Sequence, residues 1–410
     1  MTFLLVILYV FSPLTFIIGI FGLMKDPFHW KRYLPMCVYF LFVGAYSYTW
    51  PDYFNSDLLR YFPQIEFYGT MSFFDALVYD VRLPAKNFLF WLFGSLHLVR
   101  MVPAISTATV YAVAGYITCD TAVRYNGEKY IGTVFLIQLF LLPYVSLINN
   151  IRNVFGLVLV ILAAYLDIVK GKRNIFVCFC YLFGTLMHVS VYPLILFRMF
   201  SWLGKKYFEL FLFGQLFFAA IVFKIYELRS VFAVGGSFGI IIQSFLRKLN
   251  GYLLNTTGVG AVKYLNEGIF SARTFIVAGL VFALAMIWYA VRSKDYCFRD
   301  DKRFYSFIGM IATMAITFHF FMLVPNYWRF AAAFNAAIGM LYIPLLCSYN
   351  SLSFILKLLF RIHLLLVPLV LLFYVTAYFR AFYYSDWILD LLTTNYITII
   401  CDLVQSLLNL

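Results

Sequence analysis

The stretch "NNIRNVFGLVLVILAAYLDIVKGKR" (Asn149 to Arg173) decides how the rest of the chain is read. Val154 to Val169 holds one charged residue, Asp167, and no proline. As an α-helix this run extends roughly 24 Å, close to the thickness of bilayer hydrocarbon. It closes on Lys170, Lys172 and Arg173, a dense basic loop of the kind that stays in the cytoplasm. The helix therefore starts outside, and it starts with Arg152. A helix N-terminus carries about half a positive charge and disfavours a cation, so an arginine there asks for an anion.

The composition extends this reading to the whole chain. Of 410 residues, 64% are hydrophobic and 12% charged, with a mean hydropathy of +0.88. This predicts an all-α polytopic membrane protein, residues 1–410 forming a single transmembrane domain. Outer-membrane barrels show short alternating segments with polar lumen faces, whereas these runs are apolar all round. The run from Thr2 to Met24 has neither a basic n-region nor a small-residue cleavage site, so it is expected to be a retained helix. A net charge of +13 raises the question of nucleic acid, but no compact basic domain carries it, and none is expected as a partner. The cysteines form no CxxC pair, and "CFC" (178–180) points its two thiols to different helix faces. No DxD, HExxH, Walker A, GxGxxG or G-x-S-x-G motif occurs, nor a histidine cluster at metal-ligand spacing, so neither a metal nor a cofactor is expected.

The basic loops "KDPFHWKR" (25–32), "KGKR" (170–173) and "RSKDYCFRDDKR" (292–303) fix the frame as cytoplasmic. Spans are expected at 33–50, 104–122, 131–148, 154–169, 207–224, 273–291, 304–324, 331–349 and 362–379, about ten with the first helix. Residues 51–103 form an external loop with juxtamembrane helices. Its apolar piece "NFLFWLFGSLHL" would be roughly 18 Å long, which suits a re-entrant or interfacial helix better than a span. Residues 225–272 form a large external loop, and the tail from Arg380 lies outside. Parity leaves one anomaly: Asn174 to Phe197 must leave the cytoplasm and return within one span's length. Two half-helices meeting near "LMHVSVYP", with His188 close to the apex, satisfy that requirement. Broken backbone at such depth is tolerated only against protein or a watered cavity.

In this topology Arg152, Arg273 and Arg329 each open a helix running inward. Membrane-end arginines commonly anchor to headgroups. Three at matching positions point instead to phosphate, which the planar guanidinium binds bidentately. Asn149, Asn150 and Asn153 flank Arg152 and suit sugar or phosphate contact. His188 reads either as a core histidine or, at the hairpin apex, as a cavity-facing ionisable group; His97, His319 and His363 lack that context and read as structural. Asp57 and Arg60 in "NSDLLRY" lie one turn apart and can pair, or Asp57 can accept a proton from an attacking hydroxyl. Trp50, Tyr53, Tyr61, Tyr327 and Trp328 read as interfacial belt residues or as surfaces for sugar rings.

Taken together, "NNIRNVFGLVLVILAAYLDIVKGKRNIFVCFCYLFGTLMHVSVYPLILF", "SDLLRYF" and "NYWRFAAAF" resemble the core signature of the EpsG-like, Wzy-type polysaccharide (O-antigen) polymerases. The pattern differs at Asn153, where that family often has glutamine after the arginine. The resemblance implies a GT-C-like architecture in the bacterial inner membrane, with an active site facing the periplasm. It implies a glycosyltransferase of lipopolysaccharide and related pathways that joins repeat units carried on undecaprenyl diphosphate. Its partners would be the lipid-linked oligosaccharide and a chain-length regulator in the same membrane. Carried onto this chain, the catalytic positions would be Arg152, His188, Arg329 and Asp57, and the substrate-binding positions Arg273, Arg60, Asn149, Asn150 and Tyr327. The alternative is a flippase for the same lipid, although the repeated halves and paired broken helices expected of a transporter are not evident.

Overall fold

The computed structural model describes residues 15–48, 57–188, 191–192, 194–195, 198, 272–292, 303–304, 307–308, 310–311, 327–384 and 393–408. The expected helix at 207–224, the loop at 225–272 except its last residue, most of the helix at 304–324, and Trp50, Asp52 and Tyr53 lie outside them. Among the described residues the chain is helical, without a strand. In order come α1 (Thr15–Lys25), α2 (Trp30–Ser47), α3 (Asp57–Gly69), α4 (Phe73–Tyr79), α5 (Pro84–Ser95), α6 (Met101–Arg124), α7 (Ile131–Leu141) and α8 (Tyr144–Ile148). Then follow α9 (Ile151–Ala164), extended by a π-turn at Tyr165–Val169, α10 (Ile175–Met187), α11 (Ala272–Arg292), α12 (Tyr327–Ala337), α13 (Gly339–Cys347), α14 (Phe354–Tyr384) and α15 (Tyr396–Leu408).

Among the described residues, three stretches are long and apolar enough to cross a membrane: Met101–Arg124, Ile151–Val169 and Arg329–Cys347. They run parallel. Near their starts the Ser106 hydroxyl donates to the Ile151 carbonyl at 3.1 Å, and near their ends Tyr165 donates to Asp120 at 2.5 Å. Gly339 lies against Thr118 and Gly127 against Cys347, so α12 and α13 follow the same direction down α6. Parallel neighbours need an antiparallel return, and α7 with α8 supplies it between α6 and α9.

The expected span at 131–148 is interrupted. Leu142 ends α7 and Pro143, which has no N–H, opens the short α8. The carbonyls released by that break are taken up by neighbours. Tyr111 donates to the Leu142 carbonyl at 2.6 Å, and the Asn335 amide of α12 donates to that of Leu141 at 2.9 Å. Gln138, fully buried, accepts from Thr118 at 2.9 Å and donates to the carbonyls of Asn335 and Ala336. An apolar interior supplies no water, so such freed groups must find protein partners.

A second, smaller core joins α3, α4 and α5 to α9 and α10. On α3 the buried residues Leu58, Tyr61, Ile65 and Tyr68 form one helical stripe. It meets α5 so closely that a Cβ on Gly94 would lie 2.1 Å from the Ile65 carbonyl oxygen. The expected apolar piece at 87–98 begins three residues earlier, at Pro84, and stays short. On α10, Val177, Cys180, Gly184 and Met187 are buried, while Ile175, Phe176, Phe179 and Leu182 are exposed.

The C-terminal part departs from expectation. The helix expected over 362–379 extends from Phe354 to Tyr384, and the tail beyond it returns to the bundle. In α15 the Tyr396 ring stacks on Tyr39 with centroids 4.2 Å apart, and Asp402 accepts from Tyr46 at 2.6 Å. Both partners lie within α2, so α15 runs along that helix rather than beyond it. Its apolar spacing is that of an amphipathic helix, which a search for full-length spans passes over.

Candidate functional site

Arg152 stands in the first turn of α9, partly exposed. Its Nε donates to the Tyr61 hydroxyl at 3.2 Å, and its guanidinium lies 4.8 Å from the centroid of the same ring. Tyr61 thus holds the cation both edge and face, which limits the directions it can point. The Tyr61 ring packs on Phe90 of α5, and Phe90 packs on Tyr68, so the floor beneath Arg152 is aromatic.

A second cation lies in that floor. Lys86, 1% exposed, donates to the Tyr68 hydroxyl at 2.9 Å and sits over the Tyr68 and Phe90 rings. Tyr68 passes a hydrogen bond to Asn87 Oδ1 at 3.0 Å, and the Asn87 amide secures the carbonyls of Leu77 and Asp80. Asp80 lies 4.0 Å from the Lys86 ammonium and is held closer, at 2.8 Å, by Arg82. Burial first, and then the charge of Arg152, press the Lys86 ammonium down to about 8, against the opposing pull of Asp80. Burial works to raise the Asp80 carboxyl, but the Arg82 hydrogen bond and the charges of Lys86 and Arg82 outweigh it and hold it below its usual range. Arg152, Lys86 and Arg82 against Asp80 leave a surplus of two positive charges among these four groups.

The α10 hairpin reaches the same region. Gly156 and Gly184 let α9 and α10 touch, since a Cβ on either would lie 2.7 Å from the other's carbonyl oxygen. The helix breaks at His188, half-buried and extended at φ −161° and ψ 139°, and Val191 N donates back to its carbonyl at 3.0 Å. Tyr192 follows within electrostatic reach of Arg82 and Asp80.

The other expected residues take these places. Arg329 lies in the first turn of α12, partly buried, at the same end of the parallel bundle as Arg152. Tyr327 begins α12, Asp57 begins α3, and Arg273 is the second residue of α11. Arg60 is exposed on α3. Asn149 and Asn150 turn their amide nitrogens back to the carbonyls of Val145 and Ser146, at 2.8 and 3.0 Å. Both side-chain oxygens are then left buried, without a hydrogen-bond partner among the described residues. Such atoms are acceptors, suited to a hydroxyl and unsuited to a phosphate oxygen.

Lys86, Tyr68, Arg82 and Tyr192 are not singled out by the sequence. The available signal was a lysine at the start of the apolar "PAKNFLFWLF", since an ionisable group in such a helix ordinarily marks a partner or a site.

Among the described residues these features define a helical protein with three helices long and apolar enough to cross a membrane, and a cation and tyrosine cluster gathered at one end of the bundle. No protein-family model, curated protein or solved structure matches the chain.

Proposed function

We propose that this chain is a membrane glycosyltransferase that polymerises lipid-linked oligosaccharide repeat units, as its resemblance to the EpsG-like, Wzy-type polymerases implies. The observation that carries the proposal is the surplus of positive charge around Arg152, held on aromatic rings at the end where Arg329 also begins a helix. That arrangement suits the diphosphate of a polyprenyl-linked glycan. Under this reading the cluster faces the periplasm, and about ten spans in a GT-C-like arrangement surround it in the inner membrane.

Arg152 and Arg329 bind the diphosphate oxygens, with Lys86 and Arg82 adding field from behind. In the reaction, the bond between the anomeric carbon of the growing glycan and the diphosphate oxygen breaks. A hydroxyl of the incoming lipid-linked unit forms the new bond to that carbon and gives its proton to His188 or Asp57. Undecaprenyl diphosphate departs with the negative charge, which the cations stabilise as it develops. The Asn149 and Asn150 oxygens accept hydrogen bonds from sugar hydroxyls, Tyr327 offers a ring face, and Arg273 and Arg60 extend the basic surface. A chain-length regulator in the same membrane is the protein partner this function calls for.

Deleting the gene and separating the surface glycan on a gel tests the reading directly. Single repeat units on the surface support a polymerase, whereas loss of all surface glycan indicates a flippase and overturns it. Arg152→Lys is expected to abolish long chains because one ammonium cannot replace the planar two-point contact. Retained long chains would remove the diphosphate role from Arg152.

A further inference from the structure

We propose that Asp167, at the opposite end of α9 from the site, is a positioning residue that sets His188 and Tyr192 against the cation cluster. Asp167 lies fifteen residues beyond Arg152 on the same helical rod, roughly 22 Å along its axis. It belongs to the π-turn at Tyr165–Val169, which sends Tyr165 towards Asp120 on α6 and Asp167 towards α10. Arg173, just before the hairpin, pairs with Asp167 Oδ1 at 3.2 Å. Arg198, just after it, pairs with Asp167 Oδ2, its Nε at 2.8 Å and its Nη2 also in contact. Tyr181, midway up α10, donates to the same oxygen at 3.4 Å. One carboxylate therefore holds the descending and ascending feet of the hairpin.

Between those feet the chain travels as far as the Gly156–Gly184 contact and turns at His188. With a fixed base and a glycine contact partway up, the height of the apex is determined. Released at the base, α10 can slide on α9, and His188 and Tyr192 move relative to Arg152 and Arg82. The two arginines differ in weight. The Arg173 side chain is 81% exposed and screened by water, whereas Arg198 is 28% exposed, so Arg198 is the working partner.

The positioning role rests on the reading of this cluster as the polymerisation centre, so two measurements are made on the full-length protein in its own membrane. The first is the glycan ladder. Asp167→Asn and Arg198→Gln are each expected to cut the long-chain fraction at least tenfold, the double variant no further, and Asp167→Glu to restore most of it. The second is independent of chemistry: with Cys180 as the only cysteine, its buried thiol is expected to react with a maleimide several-fold faster in Asp167→Asn than in the parent. A normal ladder with slow Cys180 labelling in Asp167→Asn overturns the proposal. If Asp167→Asn does not accumulate in the membrane, Arg198→Gln decides by the same two criteria. If gene deletion removes all surface glycan, the polymerase reading fails, and Cys180 labelling alone judges whether Asp167 holds the hairpin.

Discussion

Lys86 shows how burying one charge weakens a fold. An ordinary lysine releases its proton at 10.5, whereas this one does so near 8. Between those values the unfolded chain holds more protons than the folded one, so the lysine contribution to stability improves as pH rises from about 8 to 10.5. At neutral pH the buried ammonium is at its most destabilising. Lys86→Met is therefore expected to raise stability by about 1–2 kcal/mol at pH 7, read as a thermal shift of the purified protein. Tyr68 keeps Asn87 and Asp80 keeps Arg82, so the substitution leaves no orphaned partner. Under the proposed function the same variant shortens the glycan ladder. In the parent, affinity for inorganic diphosphate is expected to fall as pH climbs through 8, and in Lys86→Met that step disappears. An unchanged pH profile would show that Lys86 contributes nothing to anion binding.

At the scale of elements, the interruption between α7 and α8 is the most exposed to test. Asn335 donates to the carbonyl freed at Leu141, and Gln138 ties α7 back to α12. Asn335→Leu is expected to cost about 1–3 kcal/mol, because a buried carbonyl loses its donor. The α9–α10 crossing is similarly constrained, and Gly184→Leu should lower the melting temperature by pushing the side chain into the Gly156 carbonyl. A Gly184→Leu protein with unchanged melting temperature would mean that the two helices part easily there. The helices themselves were legible in the sequence because apolar length and basic loops report directly on them, and α6, α9 and α12–α13 begin and end close to the expected limits. The interruption at Pro143 and the docking of α15 on α2 were not. A hydropathy reading sees segment length, whereas a break or a docked amphipathic helix depends on which neighbour supplies the missing hydrogen bonds or apolar face.

At the scale of the molecule, the parallel course of three helices brings the Arg152 and Arg329 ends together and sends Asp120 and Asp167 to the other end. In the proposed topology, a cysteine replacing exposed Thr70 is expected to react with an impermeant maleimide from outside intact cells. One replacing exposed Lys172 should react only after permeabilisation. The reverse pattern would invert the protein in its membrane and put the cation cluster in the cytoplasm.

The sequence by itself determined the helical class, the basic loops and the arginines that open helices, because each of these is written in local spacing and charge. It also framed the hairpin at 174–197, since parity of crossings is a property of order along the chain. Only the tertiary structure decided that Arg152 rests on Tyr61, and that Lys86, Arg82 and Asp80 complete its surroundings. It alone joined Arg173 and Arg198 on one carboxylate. The Arg152–Tyr61 contact spans 91 positions and Arg198–Asp167 spans 31, and packing selects such pairs from many equally plausible partners.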